Sequence, residues 1–503
     1  MDWRKRIFCA VVLCLVSAAA FANKKNDTLN FGLESDLDSL DRYYSTSRTG
    51  VVIARHLFDY LFDRDPKTLE IKPLLAKSYK IVGDKSIEFD LRQDVVFHNG
   101  DKFDADDVIY TVNWALSPNS GIKNRNAIEW IDRAEKISQY KVRLVKKSSF
   151  PAALEYLASN LAIYPRHYHA KVGPKGFAAH PIGTGPYKFV EYAPGSRLTL
   201  ERNEQYFKDG PKGSPAIKTL VGRTLPEKNT EVVELMSGGL DWIWRVPPEQ
   251  SSKLKSNPNI VIRTYPTMRF DYLSFNVETS SPLVDLKVRQ AIAHVVNREA
   301  IASNLIQGGS KMIHAACYPS QFGCTDDVAK YNFDLAKAKK LMAESSVPNG
   351  FNIDFYVYNV AGYRQYAEVI ANNLRSIGIN ANITMLQYGT LRDKIRTGEA
   401  KFALSTWGSS SINDVAASTS VFFKNSPDNP TKDTEVVKLL SEGDDAIDPG
   451  VRKDRYKKAL QKIASQVYWL PLWTQVINTA SSKELNMPPN PDEIPRFYGA
   501  RWN

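Results

Sequence analysis

The sequence predicts an α/β protein built from at least two lobes. Length is the first reason: one hydrophobic core stops growing at about 250–300 residues, and this chain has 503. Composition is the second, since 43% hydrophobic and 24% charged residues describe a globular protein and not a disordered one. The third is a strand–helix–strand–helix–strand pattern between Phe351 and Trp407, the βαβ signature of a parallel sheet with right-handed crossovers.

The N-terminus reads as an export signal. Arg4, Lys5 and Arg6 precede the apolar run Ile7 to Val16, and Ala20-Phe21-Ala22 has the small-x-small form of a cleavage site. The apolar run falls short of the about 20 residues that span a bilayer. Neither Cys9 nor Cys14 follows the small residues of a lipoprotein signal. Residues 1–22 are therefore expected to be removed, releasing a soluble protein into the periplasm; the alternative is an N-terminal helix kept in the fold. No later stretch approaches about 18 uninterrupted apolar residues. Of the four cysteines, Cys317 and Cys324 then remain. An oxidising compartment favours a local disulfide between them, two buried thiols being the other reading.

Strand-like segments dominate the first half: Thr28–Gly32, Ser86–Leu91, Lys141–Leu144, Tyr187–Tyr192 and Arg197–Arg202, separated by turns such as Pro194-Gly195 and His98-Asn99-Gly100-Asp101. Further on, Asp285 caps a helix that carries Val288, Ile292, Val295 and Val296 on one face. Asp334 starts another through Leu335, Leu341 and Met342, and Pro348-Asn349-Gly350 turns into the alternating strand Phe351, Ile353, Phe355, Val357. A helix from Tyr363 ends at Gly378, followed by a strand at Ile379–Leu386, a short helix at Leu391–Thr397 and a strand at Phe402–Trp407. Ligands of parallel sheets bind beyond the C-terminal strand ends, which singles out the loop Gly408–Asp414.

Signs of catalysis are missing. The chain has no Walker A motif, no H-E-x-x-H and no G-x-S-x-G elbow. Gly183-Thr184-Gly185 starts like a dinucleotide fingerprint but runs into Pro186 and Tyr187, so it reads as a tight turn entering a strand. His167 and His169 lack a third ligand at matching spacing and read as a solvated pair, with no metal site. Asp106-Asp107 and Asp444-Asp445 read as helix-surface charges. The net charge of +11 is spread along the chain with no basic run, which points away from nucleic acid.

The segment from Phe89-Asp90-Leu91-Arg92 through Val96-Phe97-His98-Asn99-Gly100 and Phe103 to Asp107-Val108 resembles a signature of the extracytoplasmic solute-binding proteins, family 5. These are the dipeptide-, oligopeptide- and nickel-binding proteins of ABC importers. Other blocks follow in the family's order: Gly183-Thr184-Gly185-Pro186-Tyr187, Leu200-Glu201-Arg202-Asn203, Asn276, Val288-Arg289-Gln290-Ala291-Ile292, Asn297-Arg298-Glu299-Ala300-Ile301, Ala336 to Leu341, and Gly350-Phe351. The resemblance implies the two-lobed periplasmic binding protein fold, with an enlarged first lobe and two crossing segments. Residues 23–270 with 479–503 would form the first lobe, and 271–478 the second. It also implies a monomer without cofactor that closes on a small solute or peptide and delivers it to the permease subunits of the importer.

Peptide binders of the family anchor the ligand's amino terminus on an aspartate three residues beyond a Trp-like position. Here the run is Trp407-Gly408-Ser409-Ser410-Ser411-Ile412-Asn413-Asp414, so Ser410 stands at the aspartate position and Asp414 four residues later. The candidate ligand contacts are Trp407, Ser410, Asp414, Arg364, Arg269, Tyr272 and Tyr44, with Arg364 suited to a ligand carboxylate. A serine-rich loop also fits a non-peptide solute such as an opine, a sugar-phosphate conjugate or a metal chelate. An exported hydrolase, or a chaperone or adhesion module, is the alternative from another class.

Overall fold

The computed structural model describes residues 23–503 except Thr46, Asn124, Thr279, Ser280, Gln307, Ala361 and Ser410. The expected leader, 1–22, and the candidate Ser410 thus lie outside the described residues. The chain forms two compact units. Unit 1 holds the chain up to Ser148, Ala153–Thr264 and Ile477–Asn503; unit 2 holds Ser149–Ala152 and Tyr265–Val476. Apart from the short stretch Ser149–Ala152, the chain passes into unit 2 after Thr264, and Arg269 and Phe270 already pair with a strand of that unit.

In unit 1, β1 (Thr28–Leu33) leads to helix α1 (Arg48–Leu57), whose N-cap Ser47 accepts from the backbone N–H of Gly50. A separate antiparallel sheet has the order β2–β3–β5–β4. It comprises β2 (Ala76–Val82), β3 (Ser86–Leu91), β4 (Ile131–Ser138) and β5 (Lys141–Lys146), with α2 (Ala105–Leu116) inserted between β3 and β4. Asp104 and Asp107 close α2 with a reciprocal capping box. Helix α3 (Arg166–Ala179) precedes β6 (Tyr187–Ala193), β7 (Arg197–Arg202) and β8 (Thr219–Thr224). These three extend the β1 sheet, β8 pairing parallel to β1 and antiparallel to β7.

Three of the motif blocks meet at one point of unit 1. His98 donates its backbone N–H to the Gly183 carbonyl (2.8 Å), and its Nδ1 accepts from the Gly183 N–H (3.2 Å). That leaves Nε2–H to donate to the Gly185 carbonyl (3.0 Å), which also accepts from Asn203 Nδ2 (3.1 Å). The glycines are needed because the turn is pressed against the end of α1. A Cβ on Gly183 would lie 2.0 Å from the Leu57 carbonyl oxygen, and one on Gly185 2.3 Å from that of His56. The turn reading of this segment stands, with a physical cause.

Two other readings need correction. His169 is not solvated: it is 1% exposed, its Nδ1 bonded to the Tyr110 hydroxyl (2.7 Å) among Trp114, Tyr164 and Phe177, whereas His167 is exposed. Asp107 and Asp444 are not surface charges either. Asp107 is buried against Arg166, and Asp444 accepts from Tyr456, Ser420 and Lys424.

Strand β9 (Ile260–Phe275) carries the chain into unit 2. There α4 (Leu286–Val295) and α5 (Leu335–Ala343) are capped by Asp285 and Asp334 as the sequence predicts. The βαβ run follows: β10 (Phe351–Tyr358), α6 (Tyr363–Arg375), β11 (Ile379–Leu386), α7 (Tyr388–Arg396) and β12 (Phe402–Gly408). After α8 (Ala416–Phe422), α9 (Thr434–Asp445) and α10 (Pro449–Ser465), strand β13 (Trp469–Ser482) leads out of the unit. Strands β11, β10 and β12 are parallel, and β9 runs antiparallel to β12. The sheet is mixed because β9 enters from the opposite end.

The sheet of unit 2 is covered on both faces. Leu273 and Phe275 of β9 face a core with Val288, Ile292, Phe355, Ile370, Leu374 and Phe402; Phe270 and Tyr272 face another with Phe422, Tyr456, Leu460 and Trp469. Burying each such side chain contributes about 1.5–3 kcal/mol.

The turn at 183–185 yields a test. Gly185→Ala drives a methyl group into fixed backbone, so it should destabilise unit 1 by at least about 3 kcal/mol, the upper end of overpacking costs. Gly499→Ala, a control in the same unit whose added Cβ would meet nothing nearer than 3.4 Å, should cost far less; chemical denaturation of both variants measures the difference.

Candidate functional site

Parallel β10, β11 and β12 all end at one edge of the unit 2 sheet, and residues just past those ends are placed together. Tyr358 closes β10 and Tyr388 opens α7, their rings 5.4 Å apart; Tyr358 also lies 6.0 Å from Tyr363, the first residue of α6. Trp407 sits at the end of β12, half-buried, its Nε1–H donating to the Ala417 carbonyl (2.9 Å) and its ring edge-on to Phe422 at 4.9 Å.

Arg392 of α7 links these rings, its guanidinium carbon 5.7 Å from the Tyr388 centroid and 6.0 Å from that of Trp407. Asp428 holds it in a two-pronged pair and also accepts from Arg396 (2.9 Å). Burial alone would raise the Asp428 carboxyl, but the two arginines bring it below the ordinary range. Arg269 pairs across the strands with Gly408. Its guanidinium lies over the Gly408 Cα, where a Cβ would come within 3.0 Å of Nη2.

The loop beyond Gly408 is pinned from two sides. Gln321 Nε2 donates to the carbonyls of Ile412 (3.1 Å) and Asp414 (3.2 Å), and Phe322 donates its N–H to the Asn413 carbonyl (3.0 Å). Gln321 and Phe322 belong to the segment that the Cys317–Cys324 disulfide closes. On the other side, Arg452 Nη2 donates to Asp414 Oδ2 (2.8 Å), while Oδ1 accepts from the Ala416 N–H (3.0 Å). Asp414 is 2% exposed, and burial raises its carboxyl against the pull of Arg452. Asp414, a candidate ligand contact in the sequence, is therefore engaged inside the unit.

Tyr272 is likewise enclosed: its ring stacks on Trp469 at 3.5 Å and 9°, on the sheet face away from Arg269. Arg364 lies exposed on the first turn of α6. Tyr44 belongs to unit 1, where its hydroxyl donates to the Ser120 carbonyl. The structure thus brings Trp407, Arg269 and Asp414 to one strand end. Tyr358, Tyr388 and Arg392 escaped the sequence reading. Their only signal was position, just past the C-terminal ends of parallel strands.

Asp271 escaped it too. This carboxyl, wholly buried, accepts from Tyr363 OH on Oδ1, and from Trp473 Nε1 (2.7 Å) and Gln475 Nε2 on Oδ2. Burial pushes its pKa up to about 6, these donors pulling it back only in part. Among the described residues no group of three or more His, Cys, Asp or Glu side chains is placed to hold a metal ion. No described helix is long and apolar enough to cross a membrane.

A group raised from 3.8 to about 6 favours the folded state fully below its unfolded pKa, and that contribution is lost as pH rises through 6. Asp271→Asn removes the titration. Between pH 4 and 7.5 the wild type should lose on the order of 2–3 kcal/mol relative to this variant. Urea unfolding of both at the two pH values measures the difference; parallel curves would assign Asp271 an ordinary pKa.

Comparison with known proteins places this geometry in a family. The sequence profile of the bacterial extracellular solute-binding proteins, family 5 (middle region), matches residues 70–429. A glutathione-binding protein, GsiB of Pectobacterium atrosepticum, is 26% identical over 472 residues, spanning 90% of this chain and 89% of its own. Heme-binding protein A of Haemophilus influenzae is 25% identical over 453 residues, spanning 83% and 82%. Among solved structures, a dipeptide-binding protein from Pseudoalteromonas sp. SM9913 in complex with Met-Leu superposes with a TM-score of 0.83 at 24% identity, covering 95% of this chain and 100% of that one. AgaA from A. tumefaciens R10 in complex with agropinic acid reaches 0.79 at 25% identity, covering 95% and 99%. The profile covers well over half the chain and the relatives run nearly end to end with it, so this protein belongs to the family 5 bacterial extracellular solute-binding proteins.

Proposed function

We propose that the protein captures a small peptide or peptide-like solute in the periplasm and hands it to the membrane subunits of an ABC importer, acting as a monomer and without catalysis. Residues 1–22 serve as its export signal. One observation carries this reading: an aromatic platform of Tyr358, Tyr388 and Trp407 gathered at the C-terminal strand ends, with a firmly braced loop beside it. Apolar walls with a few fixed polar groups are what a small-solute site needs. A site that must take up and release its cargo unchanged needs no nucleophile. The relatives' cargoes, by their names, include glutathione, heme, a dipeptide and agropinic acid.

A non-peptide solute is the second reading, favoured by the engagement of Asp414 with Arg452, which takes away the acid nearest to the expected ammonium anchor.

Mass spectrometry of the purified protein, native and then denatured, tests the function. A defined small molecule released only on denaturation is the expected result; conversion of candidate substrates during incubation would point to a hydrolase instead. Trp407→Ala should weaken binding of that molecule at least about tenfold, the scale of losing an aromatic anchor. Calorimetry reads the change, and an unaltered affinity moves the site away from β12.

A further inference from the structure

We propose that Gln321, presented by the ring that the Cys317–Cys324 disulfide closes, is a positioning residue for the solute. It sets the course of Ile412–Asp414, so that opening the disulfide weakens binding while unit 2 stays folded. The inference rests on the solute-binding reading above and adds a control on it. Ile412–Asp414 lies between β12 and α8 and belongs to neither. All three of its carbonyls take a donor from the ring. Those of Ile412 and Asp414 accept from the one amide group of Gln321, at 3.1 and 3.2 Å, and that of Asn413 accepts from the Phe322 N–H at 3.0 Å. Phe322 in turn accepts from the Val415 N–H (3.0 Å). A buried carbonyl left without a donor is costly, so these groups follow the ring wherever it sits.

The ring is itself held in one arrangement. It contains no helix or strand, and its two cysteines stand 7 apart in the sequence. The Gln321 amide is oriented, because its Oε1 accepts from the Tyr318 N–H (2.9 Å) and leaves Nε2 for the two carbonyls. Cys317 ties one end to the core around Val415 and Phe422. Gly323 lays the other end against α10: its φ is +81°, and a Cβ there would lie 2.5 Å from the Tyr456 ring. Arg452 closes the same brace, its guanidinium 4.7 Å from the centroid of the Phe322 ring while Nη2 holds Asp414. The course of Ile412–Asp414 then bears on the aromatic platform. Ala417 donates its N–H to the Asp414 carbonyl (3.1 Å), and its own carbonyl accepts from Trp407 Nε1 (2.9 Å). A shift of the ring thus reaches the Trp407 indole through one turn of α8, without breaking either core.

The test compares the whole protein with Cys317→Ala/Cys324→Ala, with Gln321→Leu and with the triple variant. Its probes are Met-Leu, agropinic acid and any molecule that the native protein releases on denaturation. Calorimetry should show the double cysteine variant and Gln321→Leu each binding at least about tenfold more weakly, since a segment correctly placed one tenth of the time lowers affinity by that fraction. The triple variant should stay within about twofold of either, because both changes act through the same amide. Gln321→Glu keeps the acceptor for Tyr318 but withdraws the donor, so it should match Gln321→Leu. Hydrogen exchange should be at least about tenfold faster in peptides covering Ile412–Ala417 and unchanged in β10 and β12. Thermal unfolding identifies a variant that has lost its fold; if the cysteine variant has, the two Gln321 variants decide. Affinities that stay within about twofold of the wild type overturn the proposal while solute binding stands. Cysteine and Gln321 effects that multiply in the triple variant overturn it as well, as does a Gln321→Glu that binds like the wild type. A wild type that binds neither probe and releases no molecule overturns both readings.

Discussion

Unit 2 is organised around a carboxyl group that has lost its water. Asp271 sits on β9 with no exposure, and stripping a carboxylate of solvent costs several kcal/mol unless donors replace it. The donors come from α6 through Tyr363 and from β13 through Trp473 and Gln475. Meeting that demand fixes where α6 begins, how β13 lies beside β9, and therefore where β10 and β12 end. Arg269 is two residues along the same strand, on the same face by the period of a β-strand. The position of the one arginine that faces the strand-end platform from β9 is thus a by-product of solvating the carboxyl behind it.

Two buried arginines inside the family's motif blocks do a different job. Arg289 donates to the carbonyls of Leu283 (2.6 Å), Val284 (2.9 Å) and Gln466 (2.9 Å). Arg298 reaches those of Ile313 (2.8 Å), Pro471 (2.5 Å) and Tyr331 (2.6 Å). Each staples chain segments that are distant in sequence, supplying the buried carbonyls with partners that regular structure leaves out. His98, Gly183 and Asn203 do the same in unit 1. The motifs identify the family because they are the fold's internal fastenings, and for that reason they say little about cargo.

This division explains what could be read without the structure. Helix starts at Asp285 and Asp334, the strand at Ile379–Leu386 and the βαβ order were legible because caps and periodicity are local properties. His169, Asp107 and Asp444 were misread because what buries them comes from another helix: Tyr110 of α2, Arg166 of α3 and Tyr456 of α10. Asp271 was invisible for a sharper reason. In Arg269-Phe270-Asp271-Tyr272 polar and aromatic residues alternate, so Asp271 reads as part of a solvent face, yet α6 and β13 cover it. Trp407 and its loop were found by the strand-end rule; Tyr388 and Arg392 obey the same rule but carry no motif.

The changed loop has an energetic consequence for the choice of cargo. An ammonium group that took Asp414 would leave Arg452 inside the unit with Tyr456 and the Gly443 carbonyl as its remaining partners. Breaking one side of a buried pair costs about 3–5 kcal/mol, which would offset most of what a new ion pair in the same place could return. The loop that supplies an ammonium anchor in peptide binders of the family is left here as a brace.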